Sequence, residues 1–95
     1  MNIRNKLILN DFIKLHKLKL LFESRFINAK CNIQKNKCAG KEFWSGEIIS
    51  ISFFKKKDKK RQDMIYDALE EEFGLKFIQQ YIGIFLAYTP EEYDL

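Results

Sequence analysis

Between Phe43 and Tyr88 a β-rich run, a lysine cluster, an amphipathic helix and a second β-rich run follow one another almost without linkers. Phe43–Phe54 contains Ile48, Ile49, Ile51, Phe53 and Phe54, types that suit a pleated, half-buried surface, and Ser50 and Ser52 give it partial alternation. From Asp58 to Phe73 the period changes to that of a helix. Met64, Ile65, Ala68, Leu69 and Phe73 form the inner stripe, while Asp63, Asp67, Glu70 and Glu71 stay wet. Gly74 is a natural helix stop, and Leu75–Tyr81 reads as a short extra helical turn. Ile82–Tyr88 is the last strand. Thr89 then caps a final turn with Pro90 in the first helical position. Such an order makes a half-open sheet with a cationic loop between one strand and one helix.

Upstream, Phe12, Leu15, Leu18, Leu21, Phe22 and Phe26 recur at steps of three and four, which predicts a helix from Asp11 to Phe26 with Asp11 as its N-cap. Residues 1–10 have no clear period and read as an N-terminal arm or a helical lead-in. Ala29–Gln34 alternates weakly, as a short strand, and Lys35–Lys41 reads as a loop. The expected fold class is α+β: one small domain over residues 11–95 in the order α-β-β-α-β, with a three-stranded sheet and helices on one face.

Charge is divided along the chain. Residues 1–61 carry 16 of the 17 Lys and Arg and 5 of the 13 acids, a net +11; residues 62–95 carry one Lys and 8 acids, a net −7. The basic end suits phosphate or an acidic protein. Two cysteines, Cys31 and Cys38, are too few and too widely spaced for a disulfide framework or a structural zinc site. Reduced thiols in cytoplasm or mitochondrial matrix are the default expectation. No apolar run approaches the roughly 20 residues of a membrane helix. The basic first 22 residues weakly resemble an organellar presequence, but Asp11 interrupts them and serine is absent.

From about Leu18 to Tyr93 the chain resembles the BolA family, a KH-like α/β fold, in pattern over the first half of that span and in specific motifs over the second. The strand ending at Phe53-Phe54, the loop KKKDKK, a helix containing Arg61, Met64, Ile65, Tyr66, Ala68 and Leu69, and the strand IGIFLAY followed by TPEEY carry the likeness. The resemblance implies a type II KH-like sheet and a non-catalytic adaptor partnered by a monothiol glutaredoxin. It also implies a shared iron–sulfur cluster, ligated by the family's signature histidine and by a Cys or His from the first strand-to-strand loop. In this sequence Cys38 falls in the matching loop. Gln62 stands where the histidine is expected, and a lysine replaces the glycine of the loop before the helix. Glutamine is a poor iron ligand beside imidazole or thiolate.

Lys55, Lys56, Lys57, Lys59, Lys60 and Arg61 place six cations within seven positions. In a KH-like domain that junction lies near the path of single-stranded nucleic acid, where phosphate neutralisation gives salt-sensitive affinity. The GXXG backbone clamp of KH domains is missing. Three readings of the cluster therefore stand: a solvated loop, a nucleic-acid site, or a site for an acidic protein.

Cys38, among Lys35, Lys37 and Lys41, is either a ligand or reactive thiol, or an ordinary loop cysteine. Cys31 is expected to pack inside its strand. Phe43 and Trp44 could stack on a base, anchor an interface or close the core. His16, the only histidine, has no catalytic companion in the sequence, and the glutamates at 70–72 and 91–92 read as solubilising charge. The chain is therefore expected not to be an enzyme. A BolA-like adaptor leads. A KH-like nucleic-acid binder, or a structural subunit of a ribonucleoprotein or other large complex, is the alternative.

Overall fold

A computed structural model of the chain describes the backbone of residues 3–94 and the side chains of residues 11–94. The elements are α1 (Ile3–Arg25), β1 (Lys30–Cys38), β2 (Lys41–Ile49), a 3₁₀ turn (Ile51–Phe53), α2 (Asp58–Phe73), α3 (Leu75–Tyr81), β3 (Ile82–Tyr88) and α4 (Pro90–Tyr93). β2 is central. It pairs antiparallel with β1 and parallel with β3, so the sheet is mixed and both β1 and β3 are edges. The parallel pair needs a long crossover, which α2 and α3 supply.

Three boundaries differ from the sequence reading. α1 begins at Ile3 rather than Asp11, because residues 3–10 contain neither Gly nor Pro to stop it. Asp11 is then a mid-helix residue, and its carboxylate accepts from Lys35 Nζ at 2.9 and 2.8 Å. The expected loop Lys35–Lys41 shrinks to Ala39 and Gly40. Both have positive φ, 50° and 79°, as a two-residue hairpin turn of type I′ requires. Finally, β2 stops at Ile49. The Ser50 side chain accepts from Ser52 N at 3.1 Å and donates to Ile27 O at 2.7 Å, so it caps the 3₁₀ turn instead of continuing the strand.

The core lies between one sheet face and the helices. α1 contributes Leu18, Leu21 and Phe22, Phe26 follows directly after its end, and α2 contributes Ile65, Ala68 and Leu69. They meet Trp44, Ile48 and Phe85 of the sheet and Phe53 of the turn. Phe22, Phe53 and Phe85 are fully buried, each worth roughly 1.5–3 kcal/mol of transfer free energy. Phe22 meets Phe85 edge-on at 5.3 Å and Phe26 lies 4.9 Å from Phe53. Beside this core Phe73, Phe77 and Tyr81 form a continuous aromatic run at 4.6 and 5.1 Å, and Lys14 Nζ sits 3.9 Å from the Tyr81 ring.

The opposite sheet face is left largely open: among the described helices only α4 reaches it, through Tyr93, whose hydroxyl accepts from Asn32 Nδ2 at 3.1 Å. Gln34, Asn36, Phe43, Ser45, Glu47, Ile84 and Leu86 line an open depression of about 400 Å³ there. Gly46 lets β1 and β2 approach closely: a Cβ at that position would stand 1.9 Å from Asn32 O.

Candidate functional site

The cationic run begins where the buried Phe53 fixes the chain and releases Phe54 into solvent. Phe54 is 60% exposed, and Lys55 Nζ lies 5.6 Å from its ring centroid. Lys55 has φ 59°, the left-handed conformation that glycine adopts freely and other residues adopt at a cost of about 1–2 kcal/mol. Lys57 is the N-cap of α2 but makes no side-chain capping bond, so the positive end of the helix dipole adds to the lysines. Lys55, Lys56, Lys57, Lys59 and Lys60 are all exposed. Lys59 reaches Asp63 at 3.2 Å, an exposed pair of the usual helical spacing.

Arg61 does not belong to that surface. Its side chain is 10% exposed and its guanidinium makes four hydrogen bonds. Nε donates to Lys56 O at 2.8 Å and Nη1 to Ala87 O at 3.2 Å. Nη1 and Nη2 donate to the two carboxylate oxygens of Glu92 at 2.7 and 3.1 Å. The expectation that Arg61 is a docking cation is corrected here. A planar fork of donors suits a fixed junction, and Arg61 ties the lysine loop, β3 and α4 together. Glu92 also completes the capping box of α4, accepting from Thr89 N at 2.7 Å. Arg61, followed by the Thr89 backbone, pulls the Glu92 carboxyl down to about 2.

Gln62 continues the same arrangement. Its Nε2 donates to Phe85 O at 2.8 Å, and Tyr66 Oη donates to Gly83 O at 2.7 Å. Arg61, Gln62 and Tyr66 thus take the alternate carbonyls of Ala87, Phe85 and Gly83, along the edge strand β3. Gln62 therefore serves as a donor to the edge strand. Burial raises the Tyr66 hydroxyl above its ordinary range and keeps it a donor.

Cys38 ends β1, is exposed, and pairs with Lys41. Phe85, which Gln62 holds, is in register with Gly46. Gly46 lies five positions along β2 from Lys41, a rise of about 17 Å, and Cys38 and Gln62 serve opposite edges of the sheet. They do not converge on one site. Among the described residues no group of three or more His, Cys, Asp or Glu side chains is placed to hold a metal ion. Cys31 packs half-buried against the core, and burial, with Glu23 adding to it, pushes its thiol up to about 11.

Trp44 is 5% exposed and belongs to the core, which removes it as a stacking platform. Phe43 remains half-buried on the uncovered sheet face, and His16 is exposed on α1. Phe54, the exposed aromatic of the corner, is masked in the sequence by the β-rich run that continues to it, although β2 ends at Ile49. Sequence reasoning also misses Glu92 as the partner of Arg61; the T-x-x-E spacing from Thr89 is the available signal. No described helix is long and apolar enough to cross a membrane. No protein-family model matches the chain, and no curated protein matches it.

Proposed function

We propose that this chain is a non-catalytic adaptor of BolA-like build that docks an acidic partner protein through the corner formed by Lys55–Lys60. One observation carries the reading: the cationic run is divided, with Arg61 held inside the fold and Lys55, Lys56, Lys57, Lys59 and Lys60 left exposed at an uncapped helix start. A positive surface at the end of a helix dipole attracts carboxylates and phosphates alike. The element order, the TPEEY ending and the left-handed Lys55, at a place suited to glycine, support the BolA-like part. A monothiol glutaredoxin is the partner that this likeness suggests. The separation of Cys38 from Gln62 favours docking without a shared iron–sulfur cluster.

Titration calorimetry with a monothiol glutaredoxin tests the reading. Binding should occur without iron, weaken with salt, and disappear when Lys55, Lys56 and Lys57 are all changed to Glu. Cys38→Ser should leave it unchanged. Binding that requires Cys38 and brings a cluster absorption spectrum would overturn the cluster-free mode, and binding indifferent to the triple charge reversal would overturn the corner.

A second reading, single-stranded nucleic acid, is favoured by Phe54. An exposed ring beside five lysines can stack on a base while phosphates are neutralised. Anisotropy with a labelled single-stranded RNA should then show Phe54→Ala costing about 1–3 kcal/mol. An unchanged affinity removes this reading.

A further inference from the structure

The two edges of the sheet are not equally available. β3 has the carbonyls of Gly83, Phe85 and Ala87 taken by α2 side chains. β1 is nine residues long, and no described strand lies beyond it. The two-residue turn sets the phase of its ladder. Cys38 and Lys41 form the closing hydrogen-bonded pair, so Asn36, Gln34 and Asn32 face β2, and the peptide groups of Lys37, Lys35, Ile33 and Cys31 point outward. That row of donors and acceptors is a template for one more strand.

Charge selects the occupant. β1 contains three lysines and no acid. Lys35 is neutralised by Asp11 and by Glu42, the latter at 2.5 Å. Lys30 and Lys37 have no ion-pair partner among the described residues. A second copy of β1 would set lysines against lysines, and like charges on neighbouring strands destabilise pairing. We propose that the β1 edge accepts an extended acidic segment of a partner protein as a fourth strand. This goes beyond docking at the Lys55–Lys60 corner and uses a different surface.

The test is residue-resolved amide exchange of the full chain, with a nine-residue peptide of paired glutamates and paired valines as probe, so that glutamates fall on both faces as Lys30 and Lys37 do. Exchange should slow at Cys31, Ile33, Lys35 and Lys37, and the effect should fade between about 50 and 300 mM salt as screening increases. A peptide with lysine in place of glutamate should give no protection. Lys37→Pro removes one outward N–H and should weaken binding by about tenfold, the loss of roughly one hydrogen bond. The double change Lys30→Glu with Lys37→Glu should transfer the preference to the lysine peptide, which decides the matter even if the proline variant folds poorly. Changing Lys55, Lys56 and Lys57 to Glu should leave protection at β1 intact, separating this site from the corner. Protection absent from β1, shifts confined to the Lys55–Lys60 loop, or a dimer formed through β1 would each overturn the proposal.

Discussion

At the β3 edge, α2 supplies three donors in succession, and the strand's outer carbonyls are already engaged. At the β1 edge the guards among the described residues are lysine side chains. The difference follows from connectivity. β3 is reached by a helical crossover, so α2 must lie alongside it, and residues one and five apart on that helix meet alternate carbonyls. β1 is joined to β2 by two residues and to α1 by a short turn, so no described strand is carried past its outer side. One edge is closed by hydrogen bonds that belong to the fold; the other, among the described residues, is protected by charge, which salt or an acidic partner can cancel.

Removing the guanidinium should break the comparison most severely. Arg61→Ala leaves Lys56 O and Ala87 O without their donors and should cost about 2–3 kcal/mol in denaturant unfolding. Lys35→Ala, at the other edge, should cost under about 1 kcal/mol, because its pairs are on the surface. Equal losses would mean that the two edges are held alike.

Acid should sharpen the same contrast. The Glu92 carboxyl is lowered in the folded state, to about 2, chiefly by Arg61. Its contribution is therefore full above the ordinary carboxylate value of roughly 4.3 and is lost as pH falls toward about 2. Stability of the native chain should decline through that window, and Arg61→Met should flatten the decline attributable to Glu92. An identical acid profile for the variant would detach Glu92 from Arg61. The smallest effect is expected from Tyr66→Phe, at about 1 kcal/mol, since it deletes one hydrogen bond and preserves the ring.

The second half of the fold was legible because its signals are local. The stripe from Met64 to Phe73, the stop at Gly74 and the Thr89-Pro90 start each depend on residues within a few positions, and α2, β3 and α4 fall where those signals place them. The hairpin turn was hidden because Ala39 takes a positive φ that its side chain disfavours, so composition gave no warning. Ser50 and Ser52 imitated strand alternation while acting as a cap and its partner. Gln62 and Arg61 were the hardest to read, because their roles depend on carbonyls more than twenty positions away, at Phe85 and Ala87. A side-chain donor to a distant backbone leaves no period in the sequence.

The open edge is tested most directly by amide exchange along β1 in the free protein. Alternation is predicted: Asn32, Gln34 and Asn36 protected by β2, and Cys31, Ile33, Lys35 and Lys37 exchanging close to the rate of unstructured peptide. Uniform protection of all seven amides would mean that something already covers this strand, and would contradict the account.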